Sequence, residues 1–259
     1  MKVAQPGKVA KRRAPRRTAL KKAIKQVLNR ELETKYVAAD VSQSGAVVKG
    51  DITPSTDAIT ILPPVNFQTA GAAASTDLRE GDVIKPLRAA IRGNIWFNPL
   101  EEQAASKILY VKMFIVQSKT IKGAQFKGSL DAGLLEKGTA NPVSWVGSVG
   151  DLQAFYPVSK QNYTLLKTQT FKFVKNVGNT VGDTTAGNSP NINMDRKTFS
   201  YSWKPPTLKY ANEAQTQPTN HFPIMFLVAY SPGYDVTSLD VLNQALLYNF
   251  HTEMYYKDA

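Results

Sequence analysis

The chain has 259 residues, 42% of them hydrophobic, enough to bury a core as one large domain or two small ones. It contains no cysteine, which excludes a disulfide framework and a thiolate metal site, and no run of about eighteen apolar residues, which excludes a helical membrane span. The formal net charge of +12 is unevenly placed: residues 1–30 hold eleven Lys and Arg and no acid, whereas Glu31 onward holds 21 basic and 20 acidic residues.

Residues 1–17 place Pro6, Gly7 and Pro15 among like charges and offer little to bury, so this stretch is expected to be disordered when unbound. Residues 18–32 differ. Leu20, Ile24, Val27, Leu28 and Leu32 share one helical face, Lys21, Lys22, Lys25 and Arg30 lie elsewhere, and Thr18 suits the N-cap. A helix of about fifteen residues is marginal alone, so it is expected to form against a partner or the body. The charges continue through Lys25 with no apolar h-region behind them, and no secretory signal is expected. A mitochondrial presequence shares the basic, acid-free character, but this segment lacks serine and its basic residues come in dense pairs.

Beyond Glu33 the periodicity changes to two. ETKYVAADVS (33–42) and DAITIL (57–62) read as the first two strands. In LRAAIRGNIWFN (87–98), alternation puts Leu87, Ile91, Ile95 and Phe97 inward and Arg88, Arg92, Asn94 and Asn98 outward. KILYVKMFIV (107–116) is apolar on both faces, as a strand covered on both sides would be. YTLLKTQTFKFV (163–174) follows, and in KTFSYSWK (197–204) Phe199, Tyr201 and Trp203 oppose Thr198, Ser200 and Ser202. FPIMFLVAYS (222–231) is again apolar on both faces. In YNFHTEMYYK (248–257), Tyr248, Phe250, Met254 and Tyr256 oppose Asn249, His251, Glu253 and Lys257. Residues 236–247 read as one short helix, and 120–150 and 176–194 as long loops. Eight strands with long loops predict a single all-β, two-sheet jelly-roll sandwich over 33–259, carrying a basic arm over 1–32. An immunoglobulin-like sandwich has turns every 8–12 residues, and the loops here are longer.

Signals for catalysis are few. The two histidines, His221 and His251, read as ordinary surface or edge residues, and there is no G-x-S-x-G elbow. Two histidines without cysteine fall short of a zinc site. Leu130-Asp131-Ala132-Gly133 has no second copy to pair carboxylates and reads as a turn. Glu101-Glu102 reads as a solvated turn or helix start; a carboxylate site for Ca²⁺ is the other reading. No phosphate-binding glycine loop occurs. A non-enzymatic protein without cofactor is expected.

The basic arm is the strong signal. Eleven cations on thirty residues match a polyanion. Fully engaged with single-stranded nucleic acid they imply a log–log salt slope of about −8, at roughly −0.7 per phosphate. Extended, residues 1–17 reach roughly 60 Å. Such an arm neutralises phosphate and reads no sequence. KRRAPRR also suits nuclear import. The apolar side of the arm lacks the Trp or Phe that membrane-surface helices favour, and no membrane partner is expected.

Several segments, in their order along the chain, carry a resemblance. ELETKYV (31–37) follows the arm directly. LREGDVIKPLRAAIRGNI (78–95) is similar to an Arg-x-Gly-Asp-x-Ile stretch leading into an RG-containing strand, and YTLLKTQTFKF (163–173) to a Tyr-x-x-Leu-x-x-x-x-Phe strand. RKTFSYSWKPPTLKY (196–210), HFPIMFLVAYSP (221–232) and the terminal LLYNFHTEMYYKDA resemble the last three strands of the same plan. Together they resemble capsid proteins of circovirus-like viruses, whose small circular single-stranded DNA genomes encode a replication initiator. The chain departs from many of these in an arm less dense in arginine and in Ala89-Ala90 after Arg88.

The resemblance implies an icosahedral homo-oligomeric shell of jelly-roll subunits around a single-stranded circular DNA genome, located in the virion and, during assembly, in the host nucleus. It implies that Lys8, Lys11, Arg12, Arg13, Arg16, Arg17, Lys21, Lys22 and Lys25 bind phosphates, with Arg79, Lys85, Arg88 and Arg92 as further inner-surface contacts. A host nuclear import receptor is an implied partner. The coat of a small single-stranded RNA virus or satellite, and a non-viral nucleic-acid-binding β-sandwich, are the alternatives of similar build.

Overall fold

The computed structural model describes residue 21 and residues 34–69, 78–97, 108–138, 141–146, 149–174, 196–231 and 246–258. The chain divides into two units, Met1–Glu33 and Thr34–Ala259. In the first, Lys21 is helical and exposed, and the rest of the helix expected over 18–32 lies outside the described residues.

The second unit is an all-β sandwich of antiparallel strands. Its strands in chain order are β1 (Lys35–Val47), β2 (Ile59–Thr60), β3 (Val83–Phe97), β4 (Ile108–Ser118), β5 (Leu135–Lys137), β6 (Asn141–Val143), β7 (Tyr163–Val174), β8 (Arg196–Trp203), β9 (Leu208–Lys209), β10 (Pro223–Tyr230) and β11 (Leu246–Asp258). One sheet has the order β1-β11-β3-β8, with β9 also on β3; the second has the order β2-β10-β4-β7. Eight of these strands match the eight expected, and β5, β6 and β9 are short additions.

The wiring has a simple logic. Setting aside the three short strands, first pairs with last (β1 with β11), second with seventh (β2 with β10), third with sixth (β3 with β8) and fourth with fifth (β4 with β7). These are the rungs of one long antiparallel hairpin. The hairpin is then rolled, so that β11 also pairs with β3 and β10 with β4. All but one of the connections between consecutive members of this set therefore cross from one sheet to the other.

Alternation dictates where the core sits. On β4, Leu109, Val111, Met113 and Ile115 face the first sheet, and Met225, Leu227 and Ala229 of β10 lie beside them in register. Across the gap they meet Ile91 and Ile95 of β3, Phe199 of β8, and Leu246, Tyr248 and Phe250 of β11. Each such side chain contributes roughly 1.5–3 kcal/mol when fully buried. The other face of β4 and β10 is also apolar, with Phe114, Val116, Ile224, Phe226, Val228 and Tyr230. It is covered by the excursion between β4 and β7. That excursion, expected as loop, contains a 3₁₀ turn (Ala124–Ser129), the β5–β6 hairpin and a one-turn helix (Gly150–Gln153). Trp145 anchors it, packing against Phe114 and Tyr230 at ring-centroid distances of 6.0 and 5.6 Å.

Two expectations are corrected. Leu87, expected inward, is 44% exposed, because β3 carries a bulge there: Tyr255 pairs with Arg88 and Tyr256 with Pro86, leaving Leu87 without an opposite residue. Leu246 and Leu247, expected at the end of a helix, begin β11; the rest of 236–247 lies outside the described residues, as does 176–194.

Gly93 in mid-β3 is fixed by close approach. A Cβ there would stand 2.4 Å from the Asn249 carbonyl oxygen and 2.4 Å from Cζ of Phe199. Gly93→Ala must displace backbone or a core ring, and is expected to destabilise the sandwich by about 1–3 kcal/mol, read as a lowered midpoint in urea with unchanged m-value.

Candidate nucleic-acid interface

The first sheet turns one face to the core and, among the described residues, leaves the other bare. Register sets the rows of that bare face. Asp40, His251, Arg92 and Ser200 form one row across β1, β11, β3 and β8. Ala38, Glu253, Ala90 and Ser202 form the next, followed by Tyr36, Tyr255 and Arg88, and then by Lys257 opposite Lys85. In the other direction come Asn249, Asn94 and Thr198, then Leu247, Trp96 and Arg196.

Five basic side chains thus belong to this face: Lys85, Arg88, Arg92, Arg196 and Lys257. The bulge at Leu87 matters here, because it brings Lys85 and Arg88 to the same side. Both are exposed and make no ion pair or hydrogen bond among the described residues. Lys85 stands directly across from Lys257, so two basic residues adjoin at this end of the face. Arg92 leans on Glu253 at 3.4 Å and stays largely exposed. The Arg196 guanidinium lies over the Trp96 ring, 5.2 Å from its centroid. Tyr36 and Tyr255 contact each other with centroids 4.9 Å apart. An open depression of about 750 Å³ runs along the central row, bordered by Asp40, Arg92, Asn94, Thr198 and His251. Lys167 of β7 reaches its rim, donating to the Ser200 carbonyl at 2.6 Å.

Cations interleaved with exposed aromatic rings suit a single-stranded polyanion: the charges hold phosphates and the rings offer stacking surfaces. Two carboxylates, Asp40 and Glu253, temper the face, each tied to a basic partner.

The expected contacts separate clearly. Lys85, Arg88 and Arg92 come together on the bare face. Arg79 does not, and the expectation for it is corrected. It is fully buried at 0% exposure. Its guanidinium donates to the carbonyl oxygens of Gly81 (2.7 Å), Asn212 (2.7 Å), Glu213 (3.3 Å) and Gln215 (3.0 Å) and pairs with Asp82 at 3.1 Å. It is also sandwiched by Phe67 and Tyr210, at 5.0 and 4.2 Å. Both of its terminal nitrogens are engaged, so it ties two loops together and is out of reach of a phosphate. Lys21 is exposed; Lys8, Lys11, Arg12, Arg13, Arg16, Arg17, Lys22 and Lys25 lie outside the described residues, as do Glu101 and Glu102. Sequence reading missed Arg196 and Lys257 as members of the face. Alternation already placed Lys257 beside His251 and Glu253, but only the register joins β11 to β3.

The histidines differ from each other. His251 Nδ1 lies 2.7 Å from Asp40 Oδ1 on the bare face, and the Arg92 strand separates it from Ser200. His221 precedes β10 and is half-buried; burial, and then the charge of Lys122, push its imidazole down to about 4. Among the described residues no cluster of three or more His, Asp or Glu is placed to hold a metal ion. No protein-family model and no curated protein matches the chain.

Arg79→Met is expected to cost about 3–5 kcal/mol in stability, because four carbonyls lose a buried cation, and to leave the salt slope of nucleic-acid binding unchanged. Lys85→Ala and Arg88→Ala are expected to hold stability within about 0.5 kcal/mol and to flatten that slope by about 0.7 each. The His221 pKa falls from 6.5 unfolded to about 4 folded, so the unfolded chain takes up the proton first. Stability is therefore whole above pH 6.5 and is lost progressively down to about pH 4; His221→Phe is expected to remove that part of the acid sensitivity in urea titrations at stepped pH.

Proposed function

We propose that the chain is the structural subunit of a closed shell that packages single-stranded nucleic acid, with residues 1–30 as the packaging element. One observation carries this reading: eleven cations without an acid precede a β body whose net charge is only +1. The arm neutralises phosphates without regard to base order, and a near-neutral body lets many copies approach without strong repulsion.

The rolled eight-strand hairpin supports it further, because that wiring is how we read a jelly roll, an architecture used in viral shells. The arm enters the body at Thr34, and β1 begins one residue later at the edge of the sheet whose bare face holds Lys85, Arg88 and Arg92. We take that face as the inner wall, a second phosphate-binding surface besides the arm. The motif order that resembles circovirus-like capsids favours circular single-stranded DNA as the cargo, and KRRAPRR would serve nuclear import before assembly.

Deletion of residues 1–30 tests the proposal. The full chain is expected to purify as spherical particles in negative-stain micrographs, with nucleic acid protected from nuclease. The deleted chain is expected to lose that nucleic acid, read as a fall in the 260/280 nm ratio. A full chain that sediments as monomer or dimer after nuclease treatment overturns the shell reading.

A further inference from the structure

The excursion between β4 and β7 carries a concentration of exposed apolar side chains: Phe126, Val146, Val149, Leu152 and Phe155. Phe155 is the extreme case, at 85% exposure. An exposed aromatic on a slack loop needs no partner, but this segment is braced. The buried Gln153 amide accepts from the Val146 N–H at 2.7 Å and donates to the Ser144 carbonyl at 3.2 Å. The Phe155 N–H donates to the Leu152 carbonyl at 3.1 Å, and Lys112 of β4 donates through Nζ to the carbonyl of Ala154. The apolar side chains are therefore presented on a backbone fixed in advance, which lowers the ordering cost of docking.

The same chain offers a complement. At the flank where β1 and β2 end the two sheets, a recess of about 400 Å³ opens, lined by Ala46, Val47, Ile59, Leu227 and Tyr248. Its size admits an aromatic ring, and Lys49, Thr56, Asp57 and Lys127 complete its lining beside the apolar residues. Charge agrees: Lys49 and Lys127 stand at the recess against a single acid, Asp57, whereas Asp151 is the only charged residue in 146–156. Knob and recess are separate features of one copy, although Lys127 of the same excursion borders the recess. Ala154 is tied to the outer side of β4, and the recess opens at the β1–β2 flank.

From this we infer that Phe155 of one copy seats in the β1–β2 recess of a second copy. The contact is heterologous, the kind that closes rings when repeated about an axis. It deepens the shell reading and rests on it. Phe155 is the anchor, the central apolar group around which a larger interface forms.

The test uses the full chain. Phe155→Glu is expected to lower the assembled fraction in sedimentation velocity at least tenfold, with near-UV circular dichroism and melting temperature unchanged. A photo-reactive benzoylphenylalanine at position 155 is expected to cross-link between chains, to peptides holding Ala46–Ile59 or Leu227. Wild-type levels of assembly by Phe155→Glu overturn the contact, as do cross-links within one chain, to other surfaces or to nucleic acid. An unaltered chain that forms no particles sinks the shell reading and the contact with it; a shell indifferent to Phe155 sinks the contact alone.

Discussion

The architecture follows from one demand: β10 must be hidden on both faces. All eight of its residues, Pro223–Tyr230, are buried. A strand with apolar side chains in both directions is unstable at any surface, so it needs a layer on each side. The first sheet supplies one. The excursion between β4 and β7 supplies the other, with Trp145, Leu134, Leu135 and Val158 packed over Phe226 and Val228. Once both layers are spent on the second sheet, no described residue is left to cover the outer face of the first. That face is polar by the same alternation that makes its inner side apolar. The bare, basic face and the buried centre are thus one consequence seen from two sides.

Charge on this body is governed by partners rather than by residue type. Arg79 and Arg88 lie nine positions apart and have opposite fates. Arg79 meets four carbonyls, a carboxylate and two rings, enough to offset loss of water, and it is consumed in holding loops together. Arg88 meets none of these and remains in solvent. A basic residue in the sequence therefore indicates an anion site only after its carbonyl neighbours are known, and three of the four that hold Arg79 come from residues 212–215, far along the chain.

What could be read in advance divides along the same line. Strand positions were legible because period-two alternation is a local property: Phe199, Tyr201 and Trp203 face opposite to Thr198, Ser200 and Ser202 whatever the strand pairs with. The two-sided burial of β4 and β10 was legible for the same reason, as unbroken apolar runs. Leu87 was not, because its bulge exists only relative to β11, and no residue nearby announces an unpaired position. The bare face was half legible. Arg88 and Arg92 were placed outward by alternation, but joining them to Lys257 and Arg196 needs the register of three strands. The brace at Gln153 was hidden altogether, since it consists of side-chain bonds to backbone within an apparently featureless loop.

The start of the body holds a buried cation of its own. Lys35, the first residue of β1, is buried and lies two residues past the first unit in sequence. Its ammonium pairs with Glu80 at 2.6 Å and Asp258 at 2.7 Å and donates to the Leu78 carbonyl at 2.8 Å. Burial works against its charge, but the bonds to Asp258 and Glu80 outweigh that, and its pKa is raised. The lysine thus stays charged through neutral pH. It fastens the start of β1 to the end of β11 and to the loop before β3. β1 needs such a fastening, since it is an edge strand whose register with β11 breaks between Val41 and Ala46. On the proposed reading, an arm bound to a polyanion pulls on this strand end. A pull there is borne by a buried ion pair across three segments, not by the terminal hydrogen bonds of one edge strand, so the leader can be held by its cargo without unzipping the sheet it joins.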